Sequence, residues 1–104
     1  GGYRVSENKA VAYYTIGDCK SAKAELNKMK EDFGENYRTD MYLAFCELRE
    51  ESEKSNNKRD YSDFLKYYNN AKSLYEKEAE DGMTDMEMQV LEDTYHQLKE
   101  GNWF

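Results

Sequence analysis

Residues 10–26 read Ala10-Val11-Ala12-Tyr13-Tyr14-Thr15-Ile16-Gly17-Asp18-Cys19-Lys20-Ser21-Ala22-Lys23-Ala24-Glu25-Leu26, and this stretch decides the fold class. Gly17 ends one helical segment, because glycine closes a helix in the left-handed conformation without a Cβ clash. Asp18 follows at once, with Ser21 three positions on, and its carboxylate can accept the unpaired backbone N–H groups of the next helix start. A stop and a start this close together force the two helices to run antiparallel. The first helix is expected over about Ser6 to Ile16. The second is expected over about Cys19 to Asp32, with Ala22, Leu26, Met29 and Phe33 at helical spacing before Gly34.

Working outward, a third helix starts near Arg38 and carries Met41, Ala44, Phe45 and Leu48. Its polar tail, Arg49 to Asn57, reads either as helix or as a long loop. Asp60 is placed to cap a fourth helix whose stripe is Tyr61, Phe64, Leu65, Tyr68, Ala71 and Tyr75. Thr84-Asp85-Met86-Glu87 reads as a capping box for a fifth, in which the threonine hydroxyl and the glutamate carboxylate each satisfy a backbone donor. Met88, Leu91, Tyr95 and Leu98 then share a face, and Gly101 stops the helix. The chain has no proline and six glycines, too little punctuation for a many-stranded sheet. An all-α domain of about five helices in antiparallel hairpins follows.

Composition narrows the function. With 22 acidic against 15 basic residues, the net charge of −7 disfavours nucleic acid, which is bound through clustered cations that release counterions. No apolar run approaches the ~20 residues that span a bilayer, so no direct membrane insertion is expected. Charged residues make up 36% of the chain and alternate in sign, as solvated helix faces do. Ten tyrosines, four phenylalanines and five methionines supply the core. Cys19 and Cys46 read as buried, unpaired thiols in a reducing cytoplasmic compartment, with an extracytoplasmic domain of a membrane protein as the alternative. Gly1-Gly2 reads as an excision point or cloning remnant, and the chain as part of a longer one.

Three turns, Gly17-Asp18-Cys19, Arg59-Asp60-Tyr61 and Gly101-Asn102-Trp103, have middle residues spaced 42 positions apart. Equal spacing of equivalent turns is what a stacked hairpin array produces, since one hairpin cannot bury its apolar face alone. In the first unit Ala10, Tyr13, Gly17, Asp18, Ala22 and Leu26, and in the second Leu43, Ala44, Asp60, Tyr61, Tyr68 and Ala71, resemble the tetratricopeptide family's pattern. Ala10 and Ala22 are small where the helices of a hairpin would cross, and Tyr13 and Leu26 fill the space beside them. The resemblance implies a short right-handed array with units at about 3–36, 37–78 and a partial 79–104. It also implies a protein- or peptide-binding interaction module, a scaffold or adaptor segment. The first helix of each hairpin would line a concave groove, made here by Arg4, Asn8, Val11, Tyr14 and Thr15 on the first helix and Arg38, Tyr42, Phe45 and Arg49 on the third. Arginines among aromatics are the composition of binding hot spots, and could clamp an acidic or carboxylate-bearing peptide.

Chemistry is otherwise sparse. His96 is the lone histidine, placed to pair with Glu100, so no multi-histidine metal site or catalytic triad can be built. Asp81-Gly82 near Thr84 and Asp85 lacks the alternating ligands and terminal glutamate of a calcium loop. No catalytic residue, cofactor or metal is expected, and the chain reads as a non-enzyme. Trp103-Phe104 is expected to pack on a following helix, and exposed array ends invite a homodimer. A ligand-sensing regulatory domain and a structural spacer or dimerisation unit are the alternatives.

Overall fold

A computed structural model describes residues 2–79 and 84–104. Five helices follow in order: α1 (Tyr3–Thr15), α2 (Cys19–Phe33), α3 (Tyr37–Ser52), α4 (Ser62–Glu78) and α5 (Met86–Glu100), with a 3-10 turn at Asn56–Lys58. No strand occurs among the described residues. The all-α, five-helix expectation holds. The Asp81-Gly82 turn weighed as a calcium loop lies outside the described residues.

Gly17 and Asp18 make the first hairpin as the sequence dictates. Gly17 sits at φ 84°, and the Asp18 carboxylate accepts the Ser21 amide at 3.1 Å. Ala10 and Ala22 are buried at the α1–α2 contact, where larger side chains would hold the helices apart. However, α1 begins at Tyr3, not Ser6. The Ser6 amide reaches the Gly2 carbonyl, and Tyr3 is held from a distance. Its ring meets Phe33 edge-on at 5.8 Å, and its hydroxyl accepts a hydrogen bond from Asn36 at 2.9 Å.

The start of α3 is a capping box that the sequence reading passed over. The Asn36 side chain accepts the Arg38 and Thr39 amides, and the Thr39 hydroxyl accepts the Asn36 amide. Every residue from Thr39 to Glu47 is buried, because α3 is the central helix, packed on α2 and α4 along its length and on α5 near its start. The polar tail of α3 is helical to Ser52 and then turns back on itself. Glu51 accepts the Asp60 amide at 2.8 Å, and Arg59 donates to the Ser52 and Lys54 carbonyls. Asp60 accepts the Ser62 amide at 2.9 Å, but it stands one residue ahead of the cap position expected of it: α4 begins at Ser62, and Tyr61, which precedes it, makes no side-chain cap.

Two further expectations change. The cap of α5 is Asp85 rather than Thr84, accepting the Glu87 and Met88 amides, because Glu87 is drawn away to α3. At the other end, Trp103 folds back against Tyr61 at 5.2 Å and Phe104 stacks on Tyr95 at 5.6 Å. Asn102, at φ 59°, makes the left-handed step that turns the chain, and a Cβ on Gly101 would stand 3.1 Å from the Trp103 ring. The turn therefore closes the α4–α5 corner within these residues.

Candidate functional site

Arg38 organises the face shared by α1, α3 and α5. From the first turn of α3 its guanidinium donates to Glu7 on α1 at 3.0 Å, to Asp85 at 3.1 Å and to Glu87 at 3.3 Å. A fourth bond goes to the Tyr42 hydroxyl at 3.3 Å, and that hydroxyl in turn donates to Glu87. One planar fork therefore joins three helices. Burial acts to lower the pKa of Arg38, but Glu7 and the neighbouring tyrosines outweigh it and hold the cation more firmly than usual. Burial, then the Glu87 carboxylate, pushes the Tyr42 phenol well up. Tyr37 donates to Asp85 at 2.7 Å and rises to about 12, first through burial and then through that carboxylate.

A turn or two further along, Tyr14, Tyr42 and Phe45 form an aromatic triangle with ring centroids 6.2 to 6.4 Å apart. Arg49 lies 4.1 Å over the Tyr14 ring and donates to the Tyr14 carbonyl in the last turn of α1. Of the residues named from the sequence, Tyr14, Arg38, Tyr42, Phe45 and Arg49 are thus brought into one ladder between α1 and α3. Val11 is half-buried beside them. Tyr42 and Phe45 are buried, and both arginines are engaged within the chain. Arg4, Asn8 and Thr15 stand exposed on the same stripe of α1 as Val11, with the Thr15 hydroxyl turned to the Val11 carbonyl at 2.8 Å. Arg38 and Arg49, expected to face an acidic peptide, direct their donors here to groups of this chain and brace α1, α3 and α5.

Sequence reasoning missed Glu7, Asp85 and Glu87, whose part in the brace depends on contacts 31 to 49 positions away. It also missed a cleft of about 330 Å³ between α4 and α5, where the two helices splay. Elsewhere the chemistry is plain. Cys19 and Cys46 are buried and unpaired, and burial pushes the Cys46 thiol far up, away from the reactive thiolate. His96 is exposed and faces Glu92 at 3.8 Å, one turn before it, rather than Glu100. No group of three potential metal ligands occurs among the described residues, and no helix of the described residues is long and apolar enough to cross a membrane.

Fold and site together define a class: an all-α protein of packed helical hairpins with an arginine-braced aromatic face. No family model, curated protein or solved structure matches the chain.

Proposed function

We propose that this chain is a protein- or peptide-binding module of tetratricopeptide-like type, a scaffold segment whose groove runs along α1, α3 and α5. The observation that carries the reading is the reach of Arg38. A single side chain on α3 bonds α1 and α5 together, so the first helices of successive hairpins share one face. That is the arrangement a hairpin array uses to present an extended surface. With Arg38 and Arg49 committed internally, recognition falls to the exposed Arg4 and Asn8 and to the half-buried Val11 and Tyr14. Tyrosine supplies contact area at low entropic cost, and arginine supplies directional donors.

The test is an affinity capture from the source cell's lysate read by mass spectrometry. It compares the unaltered chain with an Arg4→Ala, Asn8→Ala double variant and with Lys20→Ala, Lys28→Ala on α2. Arg38 and Arg49 are left intact because their loss would disturb the helices themselves. A partner kept by the α2 variant and lost by the α1 variant supports the groove; a partner kept by both rejects it.

A further inference from the structure

The cleft between α4 and α5 is open on one side, and at its base stands an unusual group. Tyr68 is 2% exposed, and its hydroxyl has no hydrogen-bond partner. The ring cannot swing away to find one, because it stacks on Tyr95 at 4.3 Å, 6° from parallel, and on Phe64 at 6.2 Å. A buried, unpaired hydroxyl is unfavourable, and native interiors hold few of them. The Lys72 ammonium stands beside this hydroxyl without meeting hydrogen-bond geometry. It is drawn to Glu92 on α5, 3.6 Å away, in an ion pair that crosses the cleft.

The charge around the opening decides what would enter. Glu76 stands exposed on the same rim, and its field is felt at Lys72. Lys72 is already answered by Glu92, which leaves the Glu76 carboxylate as the charge in excess. An entering anion would have to displace Glu92 from Lys72 and then face Glu76. An entering cation would replace Lys72 on Glu92 and gain Glu76 as well. The Tyr68 oxygen is closed to solvent with Lys72 beside it, and it would accept one of the cation's N–H groups only as that ammonium gives way. Tyr75 and Met88 line the walls with aromatic and thioether surface suited to an alkyl stem. The volume lies at the small end of ligand clefts, and the open side lets a chain continue past it.

We infer that the α4–α5 cleft is a second binding site, which takes the ammonium or guanidinium end of a lysine or arginine side chain presented by a basic peptide. Lys72 acts there as an internal competitor, occupying Glu92 until the peptide's cation arrives. This site adjoins the α1–α3–α5 face at Asp85, which lines both, but its argument does not rest on the groove.

The isotope-labelled chain is titrated, by NMR chemical-shift mapping, with a Gly/Ser peptide carrying one central arginine. Versions with glutamate or norleucine at that place, and free spermidine, serve as comparisons. The arginine peptide should shift α4 and α5 resonances saturably, and the other peptides should not. Glu76→Gln with Glu92→Gln should weaken it about tenfold, as loss of a charged partner does. Lys72→Ala should tighten it several-fold by removing the competitor. Tyr68→Phe should weaken it several-fold while leaving the melting temperature equal or higher, since an unpaired hydroxyl is removed. No saturable shift, weakening by Lys72→Ala, preference for the glutamate peptide, or indifference to both Glu76/Glu92 and Tyr68 changes overturns the site. Spermidine binding as tightly as the peptide overturns the assignment to a peptide side chain. All these variants lie on α4 and α5, so their failure leaves the groove reading to its own test.

Discussion

Arg38 donates to four side chains on three helices. Two of its carboxylate partners are only partly exposed, at 18% for Glu7 and 11% for Asp85, so removing the cation strands them in a semi-buried place. Arg38→Ala should therefore cost about 2–3 kcal/mol in urea unfolding. Arg38→Lys should recover little of it, because an ammonium cannot span three helices as a planar fork does. Asp40 makes a second prediction at this scale. It is fully buried, and burial, then the Glu35 carboxylate, raises it to about 7 against the opposing Lys30 ammonium at 2.7 Å. The folded state thus keeps a proton that the unfolded chain releases near 3.8. Stability should fall as pH rises from 4.5 toward about 7, the window above the lowered Glu35 titration. Asp40→Asn should flatten that slope, read from chemical denaturation at successive pH values.

Three helix starts, those of α2, α3 and α5, carry a side-chain cap, and the caps differ in what else they do. Asp18 only starts α2, and it was readable because its acceptor role is local. Asn36 starts α3 and also donates to Tyr3, so Asn36→Ala should lower stability by about 1–2 kcal/mol and loosen the first turn of α1. Circular dichroism melts and amide exchange at residues 3–6 would register both effects. Asp85 caps α5 while accepting from Tyr37 and Arg38. The expected Thr84 box failed here for a reason local sequence cannot show. Its glutamate had a stronger offer from an arginine and a phenol on another helix.

Across the described residues, burial is concentrated on α3 and thins toward the first and last helices. The charge of −7 is spread over exposed faces, and Trp103 closes the α5 end against Tyr61 under Arg59. Amide exchange should accordingly be slowest in α3, where residues 39–47 are buried, and faster in the outer helices, α1, which buries only Ala10, and α5, which buries only Met88 and Leu91. Equal protection along the chain would contradict this ordering. The sequence by itself determined the helices, their order and most of their ends. Apolar period, glycine stops and acidic caps act within a few residues, and the all-α class needs nothing more. Tyr14, Arg38, Tyr42, Phe45 and Arg49 were among the nine groove positions that the resemblance to tetratricopeptide hairpins implied. Only the tertiary structure decided what that group does. Whether an arginine faces solvent or three carboxylates depends on where distant helices lie, and the same is true of the cleft that leaves the Tyr68 hydroxyl unanswered. Both are set by packing between elements far apart in the chain, which no local pattern encodes.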